Sequence, residues 1–290
     1  AQLLKLAKLV SFTRDFDEWL EEVRVMMHRE VDYTLEAETT RRFGQMLSDD
    51  DRFIVPEIFA EYSTPHVMAT SYEPGVSVSS ESVQGLSQDR RNKLAKGALE
   101  LFLKELFSWK EIQTDPNFGN YRIRLADHEC ADDKIVLLDF GAVQKYPDSF
   151  IDPVCDMIYA SYIRDLDRVI AGGIKLHFMH DDWPPKVLAE FGEVCMAVLE
   201  PLADRDIDVP ENALNEQGEY RWKQSDLPTR IAKQAAMSAV SRYFKIPPKE
   251  FVFLNRKLVG VYTFISVLSA EFNGRDILKP YLDRFINRTS

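Results

Sequence analysis

Two short polar motifs beside apolar segments constrain this chain more than any other feature of its sequence. Asp139-Phe140-Gly141 ends an apolar run at 135–138, and Asp115 and Asn120, five positions apart, come just before the segment 121–125, in which apolar residues alternate with arginine. Short apolar runs that are rich in β-branched residues predict β-strands. Any fold for this chain has to account for two polar motifs, each at one end of a strand.

The spacing and order of these motifs predict a phosphoryl-transfer site. A D-x-x-x-x-N loop followed by D-F-G is the arrangement in which kinases hold the acceptor and the metal ions. Carboxylate and amide oxygens suit Mg²⁺, so Asp139 and Asn120 are the predicted metal ligands. Asp115 is the predicted catalytic residue, which orients or deprotonates the attacking hydroxyl. Gly141 allows a sharp turn of the backbone beside the metal.

A purely structural interpretation of each motif alone stays open. Asp115-Pro116 is also typical of the start of a turn, and Asp139-Phe140-Gly141 can simply end a strand. Further upstream, Glu30, Asp32 and Glu36 crowd one predicted helix with negative charge, which indicates either a solvated acidic face or a bound cation. The presence of all these features in one chain, in this order, favours phosphoryl-transfer chemistry.

The remaining sequence predicts a strand-poor first part and a mostly helical second part. Residues 1–46 have helical spacing, 53–62 and 67–72 predict two paired strands, and Pro74-Gly75 marks the turn near which we place a lobe boundary. A long helix follows at 89–110. Further helices are predicted at 151–165, 166–177, 184–204, 227–244, 248–271 and 275–288, with a surface loop at 205–226.

Composition excludes several classes of protein. Of the 290 residues 45% are hydrophobic, which is enough for a sizeable core, and 36 Lys and Arg against 47 Asp and Glu give a net charge of −11. That balance argues against a nucleic-acid partner bound through a basic face. Three widely spaced cysteines predict neither a disulfide framework nor a CxxC zinc site. The uncharged run 258–270 is too short for a membrane-spanning helix.

Taken together, the motifs resemble the UbiB family of atypical kinase-like ATPases, which support coenzyme Q biosynthesis. The Thr114-Asp115-Pro116-Asn117 form is most similar to the mitochondrial branch of that family and its bacterial relatives. The resemblance extends over nearly the whole chain. The segments that carry it are 29–37, 113–120 and 138–142, with further matches at 55–57, 85–87 and 256–260.

The resemblance implies roles for the upstream residues. Glu30 and Asp32 match the family's E-x-D signature, which ties an inhibitory N-terminal extension over the active site. Glu36 matches the glutamate that pairs with the nucleotide-binding lysine. The segment from Ala69 to Tyr72 matches the hinge between the lobes, where backbone groups receive the adenine. These five residues are the predicted cofactor-binding set.

The resemblance also implies cofactors and partners. ATP or ADP and Mg²⁺ are the expected cofactors. A lipid or quinone precursor, other coenzyme Q biosynthesis proteins and peripheral contact with a membrane are the expected partners. The expected location is a bacterial cytoplasm, in association with the membrane, or the matrix side of the mitochondrial inner membrane. No A-P-E motif follows Asp139-Phe140-Gly141, which argues against a peptide substrate.

Motifs that the family places near its N-terminus are not found in this sequence. The chain has no K-x-G-Q motif, no alanine-rich loop and no V-A-x-K strand, and Lys5 and Lys8 lie on a predicted helix. We therefore expect this chain to be a fragment that binds ATP weakly by itself.

The resemblance predicts an α+β, protein-kinase-like fold of two lobes. An incomplete small lobe is expected at 1–73 and a mostly helical large lobe at 74–290. Two other functions stay open, a pseudokinase-like scaffold that binds a lipid or protein and a small-molecule phosphotransferase. The pair Glu30 and Asp32 argues against the phosphotransferase, and the retention of Asp115, Asn120 and Asp139 argues against the scaffold.

Overall fold

Short strands and long helices alternate along the chain. This computed structural model describes residues 33–127, 130–203, 209–231, 233 and 248–289, so Glu30 and Asp32 lie outside the described residues. The strands are β1 Phe53–Ile54, β2 Glu111–Gln113, β3 Tyr121–Arg124, β4 Lys134–Leu137 and β5 Val143–Lys145. The helices are α1 Tyr33–Met46, α2 Glu81–Gln84, α3 Gln88–Leu103, α4 Asp148–Tyr162, α5 Leu166–Lys175, α6 Pro185–Val198, α7 Lys249–Val267 and α8 Arg275–Thr289.

Helices form most of the second part of the chain, as the sequence predicts. Local capping fixes where several of them begin: the Ser87 hydroxyl accepts the Arg90 N–H at the start of α3, and the Asp165 carboxylate accepts the Arg168 N–H at the start of α5. A π-helical turn, Lys104–Trp109, continues α3. Within the described ranges, no helix has both the length and the apolar character needed to cross a membrane.

A three-stranded sheet in the order β1-β4-β3 joins the first part of the chain to the second. β1 runs parallel to β4, with Phe53 opposite Ile135, and β3 runs antiparallel to β4. Because β1 comes from the segment before the predicted lobe boundary, residues on both sides of that boundary share one sheet. The boundary between residues 73 and 74 stays a prediction.

The predicted strands at 53–62 and 67–72 form only in part. Regular strand is confined to β1, and Ala60–Tyr62 is a 3₁₀ turn. The two segments pair over a few residues only, where the Phe59 N–H donates to the Ala69 carbonyl at 2.9 Å and Ile58 faces Thr70. Pro56 and Pro65 explain the short extent, since proline has no N–H to donate to a sheet.

The described part of the predicted surface loop at 205–226 has little regular secondary structure, as predicted, but it is not confined to the surface. Tyr220 and Trp222 are each 3% exposed. The Trp222 indole N–H donates to the Phe272 carbonyl, and the Tyr220 hydroxyl donates to Glu200. Two buried aromatic rings with satisfied polar atoms hold this polar stretch against the core, which a count of polar residues does not reveal.

Asp50 ties the start of β1 to the helices of the second part. Its carboxylate accepts hydrogen bonds from the Arg52 guanidinium at 2.7 Å and from the Lys104 ammonium at 2.5 Å. The hydrogen bonds from Arg52, with a contribution from Lys104, hold the pKa of Asp50 well below its usual range, although burial acts in the opposite direction.

We expect Asp50→Asn to lower the free energy of unfolding by on the order of 1 kcal/mol at pH 7, since Arg52 and Lys104 keep contact with water. A carboxyl with a lowered pKa in the folded state stabilises the fold above its unfolded pKa and loses that contribution as the pH falls. The difference between wild type and variant should therefore shrink below about pH 4 in urea titrations. The exposed neighbour Asp49→Asn is the control, and a difference that stays constant to pH 3 would contradict this account.

Candidate active site

Antiparallel pairing of β3 with β4 brings the two sequence motifs together. Tyr121 lies opposite Leu137, so the residue before β3 and the residue after β4 are neighbours. The Leu138 N–H donates to the Asn120 carbonyl at 2.9 Å. The predicted metal ligands Asn120 and Asp139 therefore lie at the same end of one strand pair.

A second antiparallel pair, β2 with β5, closes the other side of the two loops. Gln113 lies opposite Val143, and both the N–H and the hydroxyl of Thr114 donate to the Ala142 carbonyl, at 3.1 and 2.8 Å. The Gln113 side chain reaches the Asp139 carbonyl at 3.3 Å. Strand pairs at both ends thus fix the loop 114–120 against the loop 138–142.

Asp115 is held by two donors from different parts of the chain. The Asn120 amide donates to one carboxylate oxygen at 2.8 Å, and the Arg256 guanidinium in α7 donates to the other at 2.7 Å. The Asp115 side chain is 26% exposed. Because the side chain is partly exposed, a carboxylate at this position is a hydrogen-bond acceptor that a hydroxyl group can also reach.

The carboxylates of Glu36 and Asp139 face one space above Gly141. The Oε2 atom of Glu36 and the Oδ1 atom of Asp139 each lie 3.4 Å from the position that a Cβ atom on Gly141 would take. The Gly141 N–H donates to Asp139 at 2.8 Å. Burial and the negative charge of Asp139 raise the pKa of Glu36, although a hydrogen bond from the Phe140 backbone partly opposes the shift.

Aromatic packing places α1, and with it Glu36, beside this loop. Phe140 is 3% exposed and packs on the fully buried Phe43 of α1, with ring centroids 4.9 Å apart. Trp109 packs edge-on against the other side of Phe43 at 5.7 Å. Rings in these geometries stabilise their neighbours beyond simple burial, so the position of α1 is coupled to that of the loop 138–142.

The donor set suits a divalent cation with oxygen ligands. Two facing carboxylates repel each other, and a cation between them would relieve that repulsion. Among the described residues there is no group of three or more His, Cys, Asp or Glu side chains able to hold a metal ion. A cation here would take Asp139 and Asn120 and complete its shell with water and phosphate oxygens, as Mg²⁺ usually does.

A cavity of about 220 Å³ opens between α1, β5 and the loop that carries Gly141. Glu36, Arg42 and Lys145 line it. Arg42 and Lys145 both contact Glu111, at 2.7 and 3.0 Å, so one acidic residue at the start of β2 pairs with both cations and ties α1 to β5.

Comparisons with known proteins show the family of this chain. Residues 1–172 match the ABC1 atypical kinase-like domain. Rat atypical kinase COQ8B, mitochondrial, is 30% identical over 88% of this chain and 45% of its own length, and the Schizosaccharomyces pombe atypical kinase COQ8, mitochondrial, is 26% identical over 98% and 44%. This chain belongs to the UbiB family of atypical kinases.

A solved structure supports the fold. The Mycobacterium tuberculosis protein Rv3197, in a complex with erythromycin, aligns with a TM-score of 0.63 at 18% identity, over 96% of this chain and 63% of that one. The predicted α+β kinase-like fold with a mostly helical large lobe is thereby confirmed. The chain spans about half the length of the curated relatives it matches.

The hinge residues predicted from the family are Ala69 and Tyr72. Ala69 donates its N–H to the Ser63 hydroxyl at 3.1 Å and its carbonyl accepts from Phe59, so both of its backbone groups are already used within the chain. The Tyr72 ring is 88% exposed. Neither residue lines the cavity beside Glu36. Adenine binding by Ala69 and Tyr72 stays a prediction.

Sequence reasoning did not assign the contribution of α7 to the site. This helix supplies Arg256 to Asp115, and a Cβ on Gly260 would lie 2.0 Å from the Cβ of Pro116 in the catalytic loop. It also buries Lys257 against Glu105. The local sequence does not mark this pair, because Lys257 follows Arg256 and Glu105 follows Lys104, and each predicted helix carries further charged residues.

Proposed function

We propose that this protein uses ATP or ADP with Mg²⁺, as an ATPase or a phosphotransferase, in support of coenzyme Q biosynthesis. The observation that carries the proposal is the convergence of Asp115, Asn120, Asp139 and Glu36 on one end of two strand pairs. This is the residue set that phosphoryl transfer needs to neutralise charge and to orient the acceptor.

Each residue has a distinct role in this mechanism. Asn120 and Asp139 would hold a magnesium ion, which when bound neutralises charge on the phosphate oxygens. Asp115, which accepts hydrogen bonds from Arg256 and Asn120, also accepts one from the attacking hydroxyl or water and takes its proton. The resemblance implies that Glu36 pairs with the lysine that holds the phosphates, a role to which no lysine of this chain is assigned. The hydrogen bonds of Thr114 and Gln113 keep the two loops in register.

The relatives suggest where the protein acts. Those cited are named as mitochondrial atypical kinases, and we extend the mitochondrial location and the link to coenzyme Q to this chain as part of the proposal. A lipid or quinone precursor, other coenzyme Q proteins and a membrane surface are the proposed partners.

Nucleotide binding tests the proposal directly. Ligand binding stabilises the folded state according to occupancy, so ADP or ATP with Mg²⁺ should raise the melting temperature, and EDTA should remove the shift. Measurements on this chain and on the protein at the full length that its gene encodes would show how much of the site each contains.

Asp139→Asn should abolish the shift, because one carboxylate ligand is lost, whereas Asp283→Asn, an exposed residue of α8 paired only with Lys279, should leave it unchanged. If neither nucleotide shifts the melting temperature of either form, the nucleotide role is wrong. The alternative, a scaffold that binds a lipid or a protein, would then be the function to pursue.

A further inference from the structure

A buried ion pair lies beneath the catalytic loop. The Lys257 ammonium is 3.0 Å from a Glu105 carboxylate oxygen, and the two side chains are 3% and 2% exposed. Removing two charges from water is expensive, and an apolar pair of similar volume usually stabilises a fold as well or better. The pair is therefore poorly explained by stability alone.

Its position shows what it contacts. Glu105 lies in the π-helical turn that follows α3, a distortion that frequently accompanies functional sites. Lys257 lines one small cavity together with Tyr121 and with Pro116 of the loop 114–120. Tyr121 directly follows that loop.

We infer that Lys257 is a positioning residue: held by its ion pair with Glu105, it supports the loop 114–120 from below, beside Pro116 and Tyr121. The inference rests on the proposed function, because it concerns the loop that carries Asp115 and Asn120. Burial alone would lower the pKa of Lys257, but Glu105 and Tyr121 outweigh it, so the lysine stays charged.

The surroundings agree with a positioning role rather than a ligand site. A cavity of about 20 Å³ lies between Pro116, Tyr121, Lys257 and Gly260, with room for no more than a water molecule. Arg256, next to Lys257 on α7, contacts Asp115 itself. The helix thus contacts the loop from within the core and at the surface.

The test replaces the ion pair by an apolar pair, Glu105→Met with Lys257→Met, so that no buried charge is left without a partner. We expect an unchanged melting temperature, backbone hydrogen exchange at 113–121 at least about tenfold faster, and a kcat for ATP hydrolysis about 10- to 100-fold lower with KM nearly unchanged. The matched control removes the exposed pair of α8, through Lys279→Met with Asp283→Met.

Tyr121→Phe is the second variant, because it removes one hydroxyl only and keeps the ring. It should speed hydrogen exchange at the end of the loop and lower kcat by a smaller factor than the double variant does. If the double variant does not fold, these two measurements on Tyr121→Phe test the positioning role. Wild-type exchange at 113–121 in both variants would overturn the inference. If even the wild type hydrolyses no ATP, the proposed function fails, while the exchange measurement, made without nucleotide, still decides the role of Lys257.

Discussion

Asp115→Asn is expected to lower the rate of ATP hydrolysis by about 10²- to 10⁴-fold, the usual contribution of a general base. Asparagine keeps the shape of the side chain and can still accept the Asn120 amide hydrogen bond, but it cannot take a proton. Because Asp115 is not one of the proposed metal ligands, the nucleotide affinity should change by less than about tenfold.

Steady-state turnover together with nucleotide titration checks this prediction. The variant also loses the ion pair with Arg256, whose side chain is 52% exposed, and that loss should cost less than about 1 kcal/mol of stability. Asp283→Asn is the control for removal of a surface carboxylate. Turnover at the wild-type rate in Asp115→Asn would show that another residue, or no residue, acts as the base.

Gly260→Ala adds a single methyl group, and we expect it to lower both the stability of the fold and the turnover. The new Cβ would lie 2.0 Å from the Cβ of Pro116 and 3.3 Å from its Cα, so either α7 or the catalytic loop has to move. Overpacking of this kind costs about 1–3 kcal/mol, which exceeds the gain of up to about 1 kcal/mol from placing alanine in a helix. Displacement of the loop that carries Asp115 should also lower turnover by about 10²-fold.

Gly97→Ala is the matched control, since Gly97 also lies buried within a helix, α3. There the new Cβ would be 3.8 Å from its nearest neighbours, Ile135 and Phe53, which is ordinary contact. We expect Gly97→Ala to leave the melting temperature and turnover unchanged or slightly raised. Equal effects of the two substitutions, measured by thermal unfolding and turnover, would show that the contact with Pro116 does not limit the fold.

The family and the fold could be predicted from the sequence because the motifs that indicate them are local. Two signals lie within a few neighbouring residues each: Asp115 and Asn120 are five positions apart, and Asp139 directly follows an apolar run. Local patterns of this kind can be recognised without knowing the tertiary structure. Short connections make neighbouring strands pair, so β3 and β4 bring these residues together as the motif order indicates. The family, the kinase-like fold and the helical large lobe follow from the same residues.

Contacts between distant segments were decided only by the tertiary structure. The parallel pairing of β1 with β4, the burial of Trp222, and the delivery of Arg256 and Lys257 to the catalytic loop each join residues far apart in the chain. No local pattern encodes such partners, because many side chains have to pack together before a buried charge meets its counterion or a glycine meets a proline. The sequence determined the family and the kinase-like fold, and packing decided which helix contacts the loop 114–120.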